Sequence, residues 1–464
     1  MATRIPESSL PARPTFGVSL GSLGYFLTKD GVIRKINNPD EGFKFDVTKD
    51  ERIAKIEAHA VQQAVRGVVM HHLEDMGMKF IPIPVKARGV PHTMVLGSRN
   101  LKTAKRIIVL CGDETEDMGI FSYLDTIEHG LRFGTILGMI SDICNGRKVA
   151  ADDVALLVLN PAHCVWNPHT QLAESLETFR LREAPSLISP VRGPTRRNEI
   201  QGNHNSYEHT EYVFEQVLLP HLLENNKLDI LGVADGGFAV YKYLKDNWKF
   251  WRQFISNMQL IDPRHIFDET TLDSLSIPTS FASFMRDRCR AWVRSDLPLG
   301  SHEIGIGARG CNCYAAGETA HGNAMLPRSM AKVLAWMELM HANPALKESP
   351  RLVEGEAYML ERADRNGPPA DHDWAGSFVL SNLLRLSWCG PPEKLKGKYA
   401  HELVLFGRGL NDAYDCTPIN HLNALMGRIY EYLEALEDEE KCGGDVAQLG
   451  DGEVSTAEKA DAAL

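Results

Sequence analysis

Apolar positions along this chain fall into two kinds of stretch. The first kind is short and nearly unbroken: FIPIPV (80–85), HTMVLGS (92–98), RIIVLCG (106–112), VALLVLN (154–160), LDILGV (228–233), MQLID (258–262), RAWVRS (290–295) and GCNCYAA (310–316). Several are continuous rather than alternating, as strands buried on both faces of a parallel sheet are. The first two, with a Gly and a Pro between them, predict an antiparallel edge hairpin. The second kind keeps a helical period. Residues 52–76 predict an amphipathic helix, and 206–226 place Tyr212, Val213, Val217 and Leu222 near one face, with Pro220 expected to kink or shorten it. Residues 326–340 begin with a proline suited to a first turn and align Met330, Leu334 and Met337. Strand, helix, strand in this order predicts an α/β fold with a doubly wound, mostly parallel sheet.

This pattern divides the chain. Residues 1–51 form an N-terminal segment and 52–342 the α/β domain, interrupted at 167–205 by a Pro-, Arg- and Ser-rich insertion expected to lie over the carboxyl edge of the sheet. Prolines at 344, 350, 368 and 369 mark a linker that opens a C-terminal extension, 343–432. From Glu434 the tail has ten acids against Lys441 and Lys459 and no aromatic residue, so 433–464 predicts a frayed helix end followed by disorder. Such a tail either solubilises the protein or binds a basic partner such as a histone.

The net charge of −11 argues against capture of nucleic acid by the whole surface. Arg192, Arg196 and Arg197 make a small basic cluster that reads as a solvated loop or, alternatively, as a phosphate or RNA contact. No signal peptide is read at the start, and no window approaches the ~18 apolar residues of a membrane span. Nine cysteines without a C-x-x-C pair fit reduced thiols, and so the cytosol or nucleus.

The stretch DILGVADGG (229–237) carries the candidate chemistry. A hydrolase elbow places its nucleophile on a tight turn between strand and helix, with small residues two before and two after it. With LDILGV as the strand and FAVYKYLKDNW as the helix, Gly232 and Gly236 take the small positions, Gly237 follows, and the nucleophile position is Ala234. A register shift would make Asp235 a carboxylate nucleophile, but would put the branched Val233 at the first small position. The remaining members of a triad follow in chain order: Asp296 beyond RAWVRS as the acid, and His321 in GETAHGNAM as the base. The loop after RIIVLCG, DETED (113–117), would set carboxylates where an oxyanion hole needs donors. The sequence therefore predicts descent from a triad enzyme whose vestigial positions are Ala234, Asp296 and His321. No cofactor and no metal are expected. Cys311 and Cys313 share a strand face without a second cysteine pair, and His204, Glu208 and His209 lack the spacing of a helical zinc motif.

The chain from about 20 to 340 resembles the fungal Argonaute-binding subunit family, an α/β-hydrolase-like domain of the Argonaute small-RNA chaperone complex that is also appended to fungal class II histone deacetylases. The resemblance rests on Gly24, Tyr25, Asp30 and Gly31 in LGYFLTKDGVIRKINNPDEGFKFD, on Phe43 to Phe45, and on FIPIPV, RIIVLCGD, VALLVLNP, GVADGG and the stretch from RAWVRSDLPLG to YAAGETAH. It implies a scaffold in RNA silencing and heterochromatin formation, in nucleus and cytoplasm, that holds Argonaute with a sister chaperone subunit. The alternatives are an intracellular serine-type or carboxylate-nucleophile esterase, and a histone-binding chromatin module.

Overall fold

The computed structural model describes residues 15–45, 51–87, 89–144, 154–181, 193–265, 277–303 and 309–349. Near the start, β1 (Tyr25–Leu27) and β2 (Ile33–Lys35) pair as an antiparallel hairpin. The apolar runs become the strands of one large sheet: β3 (Met78–Ile83), β4 (Thr93–Ser98), β5 (Arg106–Cys111) and β6 (Val154–Val158). A small hairpin follows, β7 (Val165–Asn167) with β8 (Leu172–Glu174). The sheet resumes with β9 (Lys227–Val233), β10 (Ile255–Ile261), β11 (Cys289–Val293), β12 (His302–Glu303) and β13 (Asn312–Ala315).

Strand order is β12-β13-β11-β10-β9-β5-β6-β4-β3. The strands from β6 to β13 run parallel, and β4, β3 and β12 join antiparallel at the edges. This is an α/β-hydrolase-like fold. The expected hairpin 80–98 is β3 with β4, at one edge of the sheet.

Alternation along the strands sorts side chains onto two cores. Ile108, Leu110, Leu156, Val158, Leu231 and Ile261 face one side, with residues of helices Glu51–Asp75 and Met325–Ala342. Ile107, Val109, Cys111, Leu157, Ile230 and Leu260 face the other, with helices Ala234–Asp246 and Phe281–Arg288. Tyr25, Ile33 and Phe43 of the N-terminal segment belong to the first core, so the segment bearing the family-like opening is part of the fold.

A polar row also crosses the first face. Arg106 Nε donates to the fully buried Asp229 at 2.6 Å, and Asn257 Nδ2 donates to the same carboxylate at 2.6 Å. Trp292 Nε1 donates to Gln259 Oε1 at 2.7 Å. Buried polar groups require such partners, because an unmade hydrogen bond costs about 1–3 kcal/mol.

Three expectations change in detail. The helix at 206–226 is α-helical only over Ser206–Tyr212, widens into a π turn over Val213–Leu218 and ends in a 3-10 turn, Leu219–His221, that contains Pro220. The missing N–H of that proline accounts for the early end. The insertion 167–205, for which no elements were read, contains β8 and a helix at Leu176–Arg180 capped by Ser175. Residues 182–192, Arg192 among them, lie outside the described residues, and Arg196 and Arg197 are exposed.

The linker read from Asn343 is strapped down as far as Ser349. The Glu348 carboxylate accepts from Arg290 Nη2 (2.8 Å) and Nε (3.0 Å), Trp336 Nε1 (2.7 Å), Tyr314 Oη (3.0 Å) and Asn312 Nδ2 (3.3 Å). Arg288 donates to the carbonyls of Met340, Pro344 and Leu346. The extension and acidic tail, from residue 350 onward, lie outside the described residues. Replacing Glu348 with Ala strips a partner from four side chains at once. We expect a loss of about 2 kcal/mol, read as a lower melting temperature, with Glu348→Gln losing less.

Candidate functional site

The tip of β9 forms the predicted elbow. Ala234 is the first residue of helix Ala234–Asp246 and has φ +43°, a left-handed conformation that a residue with a Cβ rarely adopts. The glycines around it make the turn possible. A Cβ on Gly232 would stand 2.6 Å from the Gly237 Cα, and one on Gly236 would collide with the carbonyl oxygen of Gly112 at the end of β5. Strand, helix and neighbouring loop therefore meet backbone to backbone.

A cavity of about 250 Å³ opens above Ala234. It lies where β5 and β9 are neighbours and the chain leaves them for opposite sides of the sheet, the usual place for a ligand in an open α/β sheet. Both Ala234 and His321 line it. Asp296 does not: it is exposed, beyond a turn in which Leu297 N donates to Ser295 Oγ at 3.0 Å. The carboxylate in the cavity is instead Asp262, one residue past β10, with φ +48°. It is held by Arg294 Nη2 at 3.0 Å and Arg264 Nη2 at 3.3 Å. Gly322 leaves room for it, since a Cβ there would stand 2.6 Å from Asp262 Oδ2.

The turn that presents His321 is built on Glu318, whose Oε1 accepts from the backbone N–H of Thr319, Ala320 and His321. Among the described residues the His321 imidazole has no hydrogen-bond partner, so no carboxylate orients it as a base. Of the residues lining the cavity, Thr115 alone carries a hydroxyl and none carries a thiol. That hydroxyl donates to Asp113 Oδ2 at 2.6 Å.

Loop 113–117 forms the opposite wall. Asp235, the alternative nucleophile, is not among the residues lining the cavity, and it stands beside Asp113. Burial, then the charges of Asp113 and Glu114, push its carboxyl up to about 6. Burial also pushes Glu116 up to about 8, against a hydrogen bond donated by Asn323 at 2.9 Å. Asp117 goes the other way. Burial opposes its ionisation, but the hydrogen bond from His163 Nε2 at 2.5 Å, the charge of Arg66 and the Tyr123 hydroxyl hold it well below the usual carboxylate range. Burial and the charge of Arg66 in turn push the His163 imidazole down, against the Asp117 carboxylate, with Nδ1 accepting from Arg66 Nη2 at 3.2 Å.

A second cavity, of about 760 Å³, is lined by Phe43, Phe45, His59, Tyr123, Glu128 and Glu177 among others. It shares Thr115, Glu116, Asp117, His321 and Asn323 with the first.

The family profile of the Arb2 domain matches residues 16–299, more than half of the chain. The protein belongs to the Arb2 domain family. No curated protein matches it. Solved structures similar to the chain include an esterase of Pyrobaculum calidifontis (11% identity, TM-score 0.27, 65% of this chain and 95% of that one). Esterase Est22 (12%, 0.27, 66% and 95%) and the carboxylesterase CesB of Bacillus subtilis (11%, 0.21, 62% and 73%) are also similar. At these scores the likenesses say nothing about the site, which rests on the geometry above.

Among the described residues of this Arb2 domain, no group of three or more His, Cys, Asp or Glu side chains could hold a metal ion. Cys311 and Cys313 pack with Cys289 in the second core. His204 Nδ1 bonds Glu208 at 2.5 Å, while buried His209 accepts from Asn160 N at 2.9 Å. Sequence reasoning missed Asp262, Arg264, Arg294 and the Asp117–His163 pair. A signal for Asp262 existed, a carboxylate ending the run MQLID at the carboxyl edge of a parallel strand.

Two outcomes are expected. Gly236→Ala forces a methyl against the Gly112 carbonyl and should cost about 2 kcal/mol or more, measured by denaturant unfolding. Glu116 binds a proton more tightly folded than unfolded, so its contribution to stability falls as pH rises from about 4.5 toward about 8. Glu116→Gln, which keeps the acceptor for Asn323, should flatten that decline and melt higher than wild type above pH 8.

Proposed function

We propose that this Arb2 domain protein is a non-catalytic interaction module of hydrolase descent that binds Argonaute, together with a sister chaperone subunit, in RNA silencing and heterochromatin formation. It works in nucleus and cytoplasm. The observation that carries the non-catalytic half is the methyl group of Ala234 at the apex of an otherwise complete elbow. Loss of the nucleophile from a serine triad removes on the order of 10⁶ in turnover. Two further features support the reading: the His321 imidazole is not oriented by a carboxylate, and Asp113 stands where a developing oxyanion would need donors. Family membership supports the Argonaute half.

A paired assay tests the first half. Wild-type protein should neither hydrolyse short-chain esters above a heat-denatured control nor react with a fluorophosphonate probe, whereas Ala234→Ser should gain labelling. Ester turnover by the wild type that disappears in His321→Ala would overturn it. For the second half, tagged full-length protein recovered from fungal cells should bring down Argonaute. Recovery of histones without Argonaute would replace the partner named here.

A further inference from the structure

The cavity above Ala234 has walls of opposite charge. On the β5 side stands Asp113, with Asp235 and Glu114 beside it, and burial and the like charges of Asp113 and Glu114 push the Asp235 carboxyl up in spite of the opposing charge of Arg264. On the other side, the loops after β10 and β11 bring two guanidinium groups, Arg264 and Arg294, to the single carboxylate of Asp262. Arg294 Nε is buried and, among the described residues, donates to no hydrogen-bond partner. A donor left unfilled in that way is costly. The other carboxyls do not alter the balance: Asp117 is compensated by Arg66, His163 and Tyr123, and Glu116 is protonated near neutral pH. Negative charge is therefore in excess next to β5 and positive charge next to β10 and β11, with the Ala234 methyl between them.

We infer that this cavity binds a small zwitterion, its ammonium group against Asp113 and its carboxylate against Arg294, with Ala234 as the floor beneath it. Scale sets the size of the ligand. At a strand spacing of about 4.8 Å, β5 lies roughly 10 Å from β10 and 14 Å from β11. An extended dipeptide spans up to about 7 Å, leaving a contact of about 3 Å at each end. A volume of about 250 Å³ suits a free amino acid or a dipeptide and falls below the roughly 300–1,000 Å³ of drug-sized sites. Met118, Ile120, Phe121 and Leu326 supply apolar lining for a side chain. Recognition at both ends makes the site selective, because a ligand lacking either charge leaves its protein partner desolvated and unpaired. This inference stands apart from the partner reading, since it needs no nucleophile and involves no macromolecule.

Calorimetric titration of the full-length protein near neutral pH tests it, with L-leucine and L-alanyl-L-alanine as zwitterions. The comparison probes are N-acetyl-alanylalanine, which lacks the ammonium, and alanylalanine amide, which lacks the carboxylate. At least one zwitterion should bind, and each capped dipeptide should bind weaker than alanylalanine by at least about tenfold. Arg294→Met should abolish the preference over the amide, and Asp113→Asn the preference over the acetylated form. No heat from either zwitterion at millimolar concentration overturns the inference, as do capped probes that bind equally well. Unchanged discrimination in both variants, each with a cooperative thermal transition, places the ligand elsewhere and overturns it too. Should a variant fail to fold, the four-probe comparison on the wild type decides.

Discussion

Backbone contact at one point of the sheet organises this molecule. Where β9 turns into its helix, Gly232 meets Gly237 and Gly236 meets Gly112, leaving no space for a side chain at Gly232 or Gly236 and little at Gly237. That contact fixes the depth at which the helix enters the layer above the sheet. It also holds Ala234 in a left-handed conformation that an isolated alanine avoids at a cost of about 1–2 kcal/mol. The surrounding packing sustains this strain: Val240 and Leu244 on the helix, and Ile230 and Leu260 on the strands, are fully or almost fully buried in one cluster. A strained strand-to-helix turn thus carries a residue with no nucleophilic atom at its apex, and its upkeep is a matter of packing.

Around the elbow, carboxylates are held by several donors each. Asp262 is shared by two arginines, Asp117 is clasped by His163, Arg66 and Tyr123, and Glu318 gathers three successive backbone N–H groups. Each arrangement satisfies a carboxylate that could otherwise orient an imidazole or take a proton from substrate. In each of them the carboxylate is held by several donors at once, which fixes its position.

Much of the fold was legible because parallel strands buried on both faces write themselves as unbroken apolar runs. All eight such runs became strands of the sheet, and the elbow glycines could be placed by spacing alone. Short pieces were harder. β1, β7 and β8 are three residues each, too brief for periodicity to register, and the π turn at Val213–Leu218 keeps an apolar pattern like that of an ordinary helix. The site was half legible. Ala234 was placed by the spacing of the elbow and His321 by chain order, but Asp296 was taken as the acid and Asp262 was missed, because spacing counts residues beyond a strand and does not see which way the following loop turns. The arginines that hold Asp262 come from separate loops, which no local pattern connects.

Five residues, Thr115, Glu116, Asp117, His321 and Asn323, line both cavities and form the partition between them. One of the chambers is walled on its far side by Phe43 and Phe45, from the stretch of sequence most characteristic of the family. An occupant that shifts this partition in one chamber alters affinity in the other by a fixed factor, and thermodynamic reciprocity requires the same factor in return.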